Sequence, residues 1–233
     1  IEEVARICRE HRVSMIEDVA QAAGGSVRGR KLGAFGDISI FSFQLNKPMT
    51  SGEGGAVCTN SRGLYDRAFA AHDLGYARNA VGRLELNDLR CATWGCGARM
   101  SEVAAALALA QMRKLPRICR AMRERKLKLK RMLQDIPALQ FRRVADEKGD
   151  VGNFLLTIFP DPASSEFYVK ALRAEGIVTA PQGSSNIRMT NWGLHIYYNI
   201  PSLVNKLSVS GGNNPWKDPR NRASWGVQYR KGT

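Results

Sequence analysis

Residues 16–60 read IEDVAQAAGGSVRGRKLGAFGDISIFSFQLNKPMTSGEGGAVCTN, and the alternation inside this stretch decides the fold. Residues 13–16 are a short, mostly apolar, partly β-branched run ending in Glu17-Asp18, and they follow an amphipathic helical stretch at 1–11. A helix feeding a short buried strand reads as half of a βαβ unit. Asp18 then lies at the carboxyl end of a parallel strand, the edge of an open α/β sheet where ligands bind. Residues 37–43 alternate like a second strand, and residues 52–59 supply a third after a sharp turn. Lys47 stands between these two, five residues after Ser42 and five before Gly52.

Each of these residues has a plainer reading. Asp18 could cap a helix starting at Val19 or serve as a turn residue. A lysine beside a glycine-rich turn is usually a solvated charge. Gln21 follows Asp18 by three residues and shares its face in a turn or a first helical turn. Glu17 points the opposite way along the strand and reads as structural. Gly52, Gly54 and Gly55 permit positive φ and close backbone approach, with Glu53 held in the turn.

Taken together, the pattern F-S-F-x-x-x-K-x-x-x-x-G-E-G-G and the Asp18/Gln21 pair resemble the active-site core of the DegT/DnrJ/EryC1/StrS sugar aminotransferases. The resemblance implies a pyridoxal 5'-phosphate enzyme with the three-layer fold of the aspartate aminotransferase class: a mostly parallel sheet, then a smaller α+β domain. It implies that Lys47 tethers the cofactor and moves the reacting proton. Asp18 would pair with the pyridine nitrogen, Gln21 would bond near the phenolic oxygen, and Ser42 would bond the phosphate. Related dehydratases carry histidine at the lysine position, so Lys47 favours transamination.

Two departures stand out. Many members read F-S-F-H where this chain has Gln44, which bears on substrate choice. The segment W-G-C-G-A-R-M-S-E at 94–102 resembles G-x-N-x-R-M-S/T-E, but Gly97 replaces the asparagine that reaches the cofactor of a second subunit. Arg99 is retained. Met100, Val103, Ala104, Leu107 and Gln111 are expected on one helical face.

The resemblance further implies a homodimer, a keto-sugar substrate and an amino-acid donor, glutamate by analogy, in lipopolysaccharide or surface-polysaccharide sugar biosynthesis. The H-D-L-G run at 72–75 and the stretch HIYYNIPSLVNK resemble the subgroup that aminates an 8-keto octulosonate. Nucleotide-linked 4-keto- or 3-keto-sugar aminotransferases are the alternative. Aromatic and amide groups at 182–199, among them Asn186, His195 and Tyr197, suit sugar recognition, as does Gln44. Ordinary loop and core aromatics would give the same composition.

The expected organisation is the C-terminal part of a large cofactor-binding domain over residues 1–115, then a connecting helix and the start of a small domain over 116–233. The chain reads as an internal piece of a longer protein. A strand is expected at 151–159, a helix at 164–175 closed by Gly176, and a strand at 176–180.

The net charge of +14 raises the question of nucleic acid. Residues 113–131 hold ten Lys or Arg against the single Glu124, and a second basic cluster lies at 217–231. Leu115, Ile118, Met122, Leu127, Leu129 and Met132 interrupt the first run at roughly helical spacing, with Pro116 suited to a first turn. The run therefore reads as a helix with one apolar and one basic face, without the aromatic interleaving that base stacking requires. A basic nucleic-acid-binding module and a catalytically silent regulator on the same fold stand as readings of another class. Five cysteines form no CxxC pair, so no metal site is expected, and scattered thiols fit a reducing cytoplasm. No apolar run reaches membrane-spanning length.

Overall fold

The computed structural model describes residues 1–85, 88–177, 186–189, 200–208, 214 and 217. The chain divides into two units, Ile1–Ile158 and Phe159–Thr233.

The first unit opens with helix α1 (Glu2–Glu10), which ends earlier than the apolar pattern suggests. Arg12 turns to φ 54°, the Val13 N–H donates to the Cys8 carbonyl, and the Arg12 N–H donates to Arg9. This Schellman-type stop consumes residues 11–13, so the first strand, β1, is Ile16–Asp18 instead of starting at 13. A small hairpin, β2 (Ser26–Val27) and β3 (Arg30–Lys31), separates it from β4 (Ile38–Ser42). Next comes β5 (Gly55–Cys58), and then α2 (Arg62–His72), capped by the Ser61 hydroxyl.

The central sheet has the order β1-β4-β5. β1 pairs with β4 in parallel, placing Asp18 opposite Ile40, and β4 pairs with β5 antiparallel, placing Ser42 opposite Gly55. The sheet is thus mixed. One face carries Glu17, Ser39 and Phe41; the other carries Asp18, Ile40 and Ser42.

A short ribbon, β6 (Ala77–Arg78) with β7 (Leu84–Glu85), leads towards α3 (Glu102–Leu133), a helix of 32 residues. The Ser101 hydroxyl accepts from the Ala104 N–H at its start, and Lys130 and Arg131 sit at its negative end. Three details differ from the sequence reading. Pro116 lies inside α3, where it withholds one N–H from the helix ladder, and not in a first turn. The buried side of α3 runs through Ala108, Cys119 and Lys126; Val103 and Leu107 are exposed, because small Ala108 is the residue that meets the sheet. The basic run is also not wholly solvated. Lys126 is buried and its ammonium sits 2.5 Å from an Asp150 carboxylate oxygen.

The expected boundary at 115/116 falls within α3, which runs through it unbroken. β8 (Gln140–Phe141) pairs with β9 (Thr157–Ile158), so only the last part of the expected 151–159 strand is strand. In the second unit, α4 (Pro162–Ala174) starts two residues before its expected position because Asp161 caps it, its carboxylate accepting from the Ser164 N–H at 2.7 Å. Gly176 follows with φ +87°, closing the helix as expected. Residue 177 carries no strand, and 178–180 lie outside the described residues. The short α5 is Pro201–Val204. Among the described residues no helix is long and apolar enough to cross a membrane.

Asp150→Ala strands the Lys126 charge in the interior and is expected to cost about 3 kcal/mol, whereas the double change with Lys126→Met recovers most of that loss. Urea unfolding of the four proteins of this cycle checks it; a loss in the double variant equal to the sum of the two single losses would show the pair to be energetically silent.

Candidate functional site

The parallel pairing of β1 and β4 gathers the expected site residues at one edge of the sheet. Asp18 ends β1, and Ser42 ends β4 two residues beyond the position opposite it. After Asp18 the chain makes successive turns and no helix: Ala22 N–H donates to Val19, and Gly25 N–H to Ala22. The helix-capping alternative for Asp18 therefore falls away, while the turn-residue reading fits the bond that its side chain makes. Its Oδ1 accepts the Ala20 N–H at 3.0 Å, and the carboxylate is exposed to solvent. Gln21 also has an exposed side chain, and its backbone carbonyl accepts the Asn153 side-chain amide at 2.9 Å.

Glu17 supplies the support beneath them. It is 4% exposed and its carboxylate accepts the backbone N–H groups of Gly33 (2.8 Å), Phe35 (2.5 Å) and Gly36 (2.7 Å). The structural reading of Glu17 is correct, and the reason is the two-residue period: neighbours on a strand face opposite sides.

Lys47 rides on a loop folded over the end of β4. The Phe43 carbonyl accepts both the Ser51 N–H (2.9 Å) and the Thr50 hydroxyl (3.0 Å), and the Phe43 N–H donates to Gly54 at 2.8 Å. Phe43 and Met49 are buried against Ala108 of α3, with Phe41, Met100 and Leu115 packed around them. The loop thus has an apolar anchor on each side of Lys47. Gln44 shapes its first half: its side-chain oxygen accepts the Asn46 N–H at 2.9 Å, and its carbonyl accepts the Lys47 N–H at 3.0 Å. Lys47 is half-buried, and among the described residues its ammonium makes no hydrogen bond or ion pair. At Gly55 a Cβ would lie 2.6 Å from the Phe41 carbonyl oxygen, so glycine is what lets β5 approach the Ser42 end of β4.

The remaining expected residues are spread more widely. In the second unit Asn186 donates its amide to the Val169 carbonyl of α4 at 3.2 Å, and its own carbonyl accepts from Arg173. His195 and Tyr197 lie outside the described residues. A cleft of about 510 Å³ lined by Gly33, Asp37, Cys58 and Ser61 sits at the opposite edge of the sheet, by the start of β4. Parallel strands place their ligands at the other edge, where Asp18 and Ser42 stand. Among the described residues no cluster of His, Cys, Asp or Glu could hold a metal ion.

Two residues of the surroundings carry no individual role in the sequence reading. Asp73, within the H-D-L-G run, is buried and pairs with Arg78 at 2.7 Å and Arg99 at 3.2 Å, while its backbone bridges to Gly97. It staples the end of α2 to the segment that leads into α3, and it gives Arg99 a structural tie. Asn153, following Gly152, is the other; a glycine-amide pair after a charged turn was its only signal in sequence.

The chain matches the model of the DegT/DnrJ/EryC1/StrS aminotransferase family over residues 1–190. It is 37% identical over 124 residues to the GDP-perosamine synthase of Vibrio cholerae, an alignment covering 53% of this chain and 32% of that protein. It is 31% identical over 137 residues to the UDP-4-amino-4,6-dideoxy-N-acetyl-beta-L-altrosamine transaminase of Helicobacter pylori, covering 59% and 35%. Among solved structures, Helicobacter pylori PseC, an aminotransferase involved in the biosynthesis of pseudoaminic acid, superposes with a TM-score of 0.66 at 26% identity, over 76% of this chain and 47% of that one. The chain thus spans roughly a third of the length of these curated relatives.

The hydrogen bond from Arg78 holds the Asp73 carboxyl below its usual range, with Arg99 adding to it and burial opposing both. A lowered folded pKa means that this stabilisation is complete above the ordinary value of about 3.9 and drains away as pH falls through the lower folded one. Asp73→Asn is therefore expected to be less stable than wild type at pH 5–8, with the gap closing in acid below about pH 4. Chemical denaturation midpoints across that range check it, and a gap independent of pH would remove Asp73 from the acid response.

Proposed function

The chain belongs to the DegT/DnrJ/EryC1/StrS aminotransferase family, and from that premise we propose that the intact protein is a pyridoxal-phosphate-dependent aminotransferase acting on a nucleotide-linked keto sugar. One observation carries the reading: the carboxylate of Asp18, the hydroxyl of Ser42 and the loop bearing Lys47 converge on the carboxyl edge of the β1–β4 pair. The donor set fits the cofactor. Asp18 is an exposed carboxylate for the pyridine nitrogen, Ser42 a hydroxyl for the phosphate, Gln21 an amide for the phenolic oxygen, and Lys47 an amine with no competing partner among the described residues.

Pyridoxal phosphate, when bound, supplies the ring that withdraws electron density from the α-carbon of the amino donor. Asp18 would hold the proton on the ring nitrogen through its carboxylate. Lys47 would hold the cofactor through its amine and would supply the base for the proton on the donor's α-carbon. The buried anchors Phe43 and Met49 hold the backbone on both sides while the lysine side chain moves between these tasks.

The relatives support the choice of substrate. GDP-perosamine synthase and the altrosamine transaminase carry nucleotide-sugar names, which favours a nucleotide-linked keto sugar over the octulosonate. Glutamate as donor, a homodimer in which a second subunit completes the site, and a part in surface-polysaccharide sugar biosynthesis belong to the same proposal. Gln44, Asn186, His195 and Tyr197 remain the candidates for sugar contact.

With pyridoxal phosphate supplied, borohydride reduction of the intact protein is expected to fix the cofactor on the peptide carrying Lys47. Lys47→Ala should lower turnover by at least about 10³-fold, the size of a lost acid–base group. Labelling of another lysine, or near-normal turnover in Lys47→Ala, overturns the assignment.

Incubation with glutamate and a panel of nucleotide-linked 4-keto and 3-keto sugars, with 8-keto octulosonate alongside, should give an aminated nucleotide sugar by mass spectrometry. Turnover of the octulosonate alone would reverse the choice of substrate, and turnover of simple keto acids alone would end the sugar reading.

A further inference from the structure

Residues 146–153 form a strap across the turn that carries Asp18 and Gln21. On one side the strap meets that turn once, through Asn153, and meets the β2–β3 hairpin that follows the turn twice. Asp146 accepts the Arg28 N–H at 2.8 Å, the Gly149 carbonyl accepts the Ser26 N–H at 2.9 Å, and the Asn153 amide donates to the Gln21 carbonyl at 2.9 Å. On the other side it is tied to α3. Arg123 donates to the Asp150 carbonyl at 2.6 Å, Lys126 pairs with the Asp150 carboxylate at 2.5 Å, and Lys130 pairs with Glu147 at 2.6 Å.

The packing leaves the strap little freedom. A Cβ at Gly149 would fall 1.9 Å from the Ser26 carbonyl oxygen, and one at Gly152 would fall 2.5 Å from the Arg123 nitrogen. Val151 between them is 3% exposed. Residues 19–25, by contrast, are successive turns with no helix or strand of their own to fix them. The Gln21 carbonyl offers only acceptor lone pairs, so the group facing it must be a donor; in Asn153 that group is the side-chain NH₂.

We propose that Asn153 is a positioning residue for the cofactor end of the site: by holding the Gln21 carbonyl it sets where the Gln21 amide and the neighbouring Asp18 carboxylate point, and the strap makes that setting depend on α3. The proposal rests on the reading of Asp18 and Gln21 as cofactor contacts. Asn153 touches no reacting atom. Its effect travels through one hydrogen bond and three residues of backbone.

The test uses the intact protein with pyridoxal phosphate and four variants: Asn153→Ala, Asn153→Asp, Asn153→Gln and Asp146→Ala. The readouts are the dissociation constant of the cofactor, the pH midpoint of its visible absorption, and hydrogen exchange of the amides at 20–25 in the cofactor-free protein. Loss of one such bond is worth about five- to tenfold in the dissociation constant. Asn153→Ala and Asn153→Asp should show that weakening, a shifted absorption midpoint, and faster exchange at 20–25. Asn153→Gln keeps the donor and should recover part of each. Asp146→Ala cuts the strap at its far end and should leave the absorption midpoint where it is in wild type.

Wild-type affinity and midpoint in Asn153→Ala overturn the proposal, and so does an equal loss in the Asn153 and Asp146 variants with no midpoint shift, which marks a merely structural strap. If Asn153→Ala and Asn153→Asp do not fold, Asn153→Ser, whose hydroxyl is too short to span the bond, carries the same comparison. Failure of the wild-type protein to take up pyridoxal phosphate on Lys47 strikes the underlying functional reading, whereas uptake with an indifferent Asn153 strikes only the positioning role.

Discussion

Glu17 is a buried carboxylate with no cationic partner among the described residues, and its burial is tolerated because three backbone N–H groups of the 33–36 turn converge on it. Those bonds hold the turn that delivers the chain into β4. Asp37 adds a second lock, its carboxylate accepting the Met15 N–H at 2.8 Å. Between them the two carboxylates set the register of β4 against β1. A slip of one residue between the strands would put Asp18 and Ser42 on opposite faces of the sheet. The candidate site is therefore a consequence of register, and register is a consequence of Glu17 and Asp37.

The second constraint is apolar and acts on the loop. Phe43, Met49 and Ala108 make a small cluster in which the helix comes close to the sheet because alanine is the contact residue. The loop holding Lys47 is pinned at two points, while the lysine side chain between them stays half-exposed. Such an arrangement joins a fixed backbone to a mobile amine, which suits a group that both anchors and shuttles. Polar bonds within the loop, from Thr50 and Ser51 to Phe43, satisfy backbone groups that a loop over an apolar cluster would otherwise leave unpaired.

The large positive charge is partly structural. Arg123, Lys126 and Lys130 reach from α3 to residues 147–150, with Lys126 buried in the contact. Arg78 and Arg99 likewise turn onto the buried Asp73. Composition treats these cations alike; the folded chain divides them between surface and interior ion pairs according to which face of each element they occupy.

The sequence by itself determined the strands on either side of Lys47, the opposite facings of Glu17 and Asp18, and the turn glycines, because two-residue alternation and glycine's backbone freedom are local properties. The motif residues carried the family for the same reason: Asp18, Gln21, Ser42 and Lys47 lie within one short stretch. What local pattern does not contain was decided by tertiary structure. The start of β1 moved to Ile16 because the end of α1 used residues 11–13 as its stop. The buried line of α3 shifted from Val103 and Leu107 to Ala108, Cys119 and Lys126 because the sheet, and not the helix, chooses which side is covered. Pro116 stayed inside α3 although proline favours a helix start, since the residues on either side continue the same packed helix. Asn153 and Gln21 stand 132 positions apart in the chain, and only folding could bring a donor at one to a carbonyl at the other.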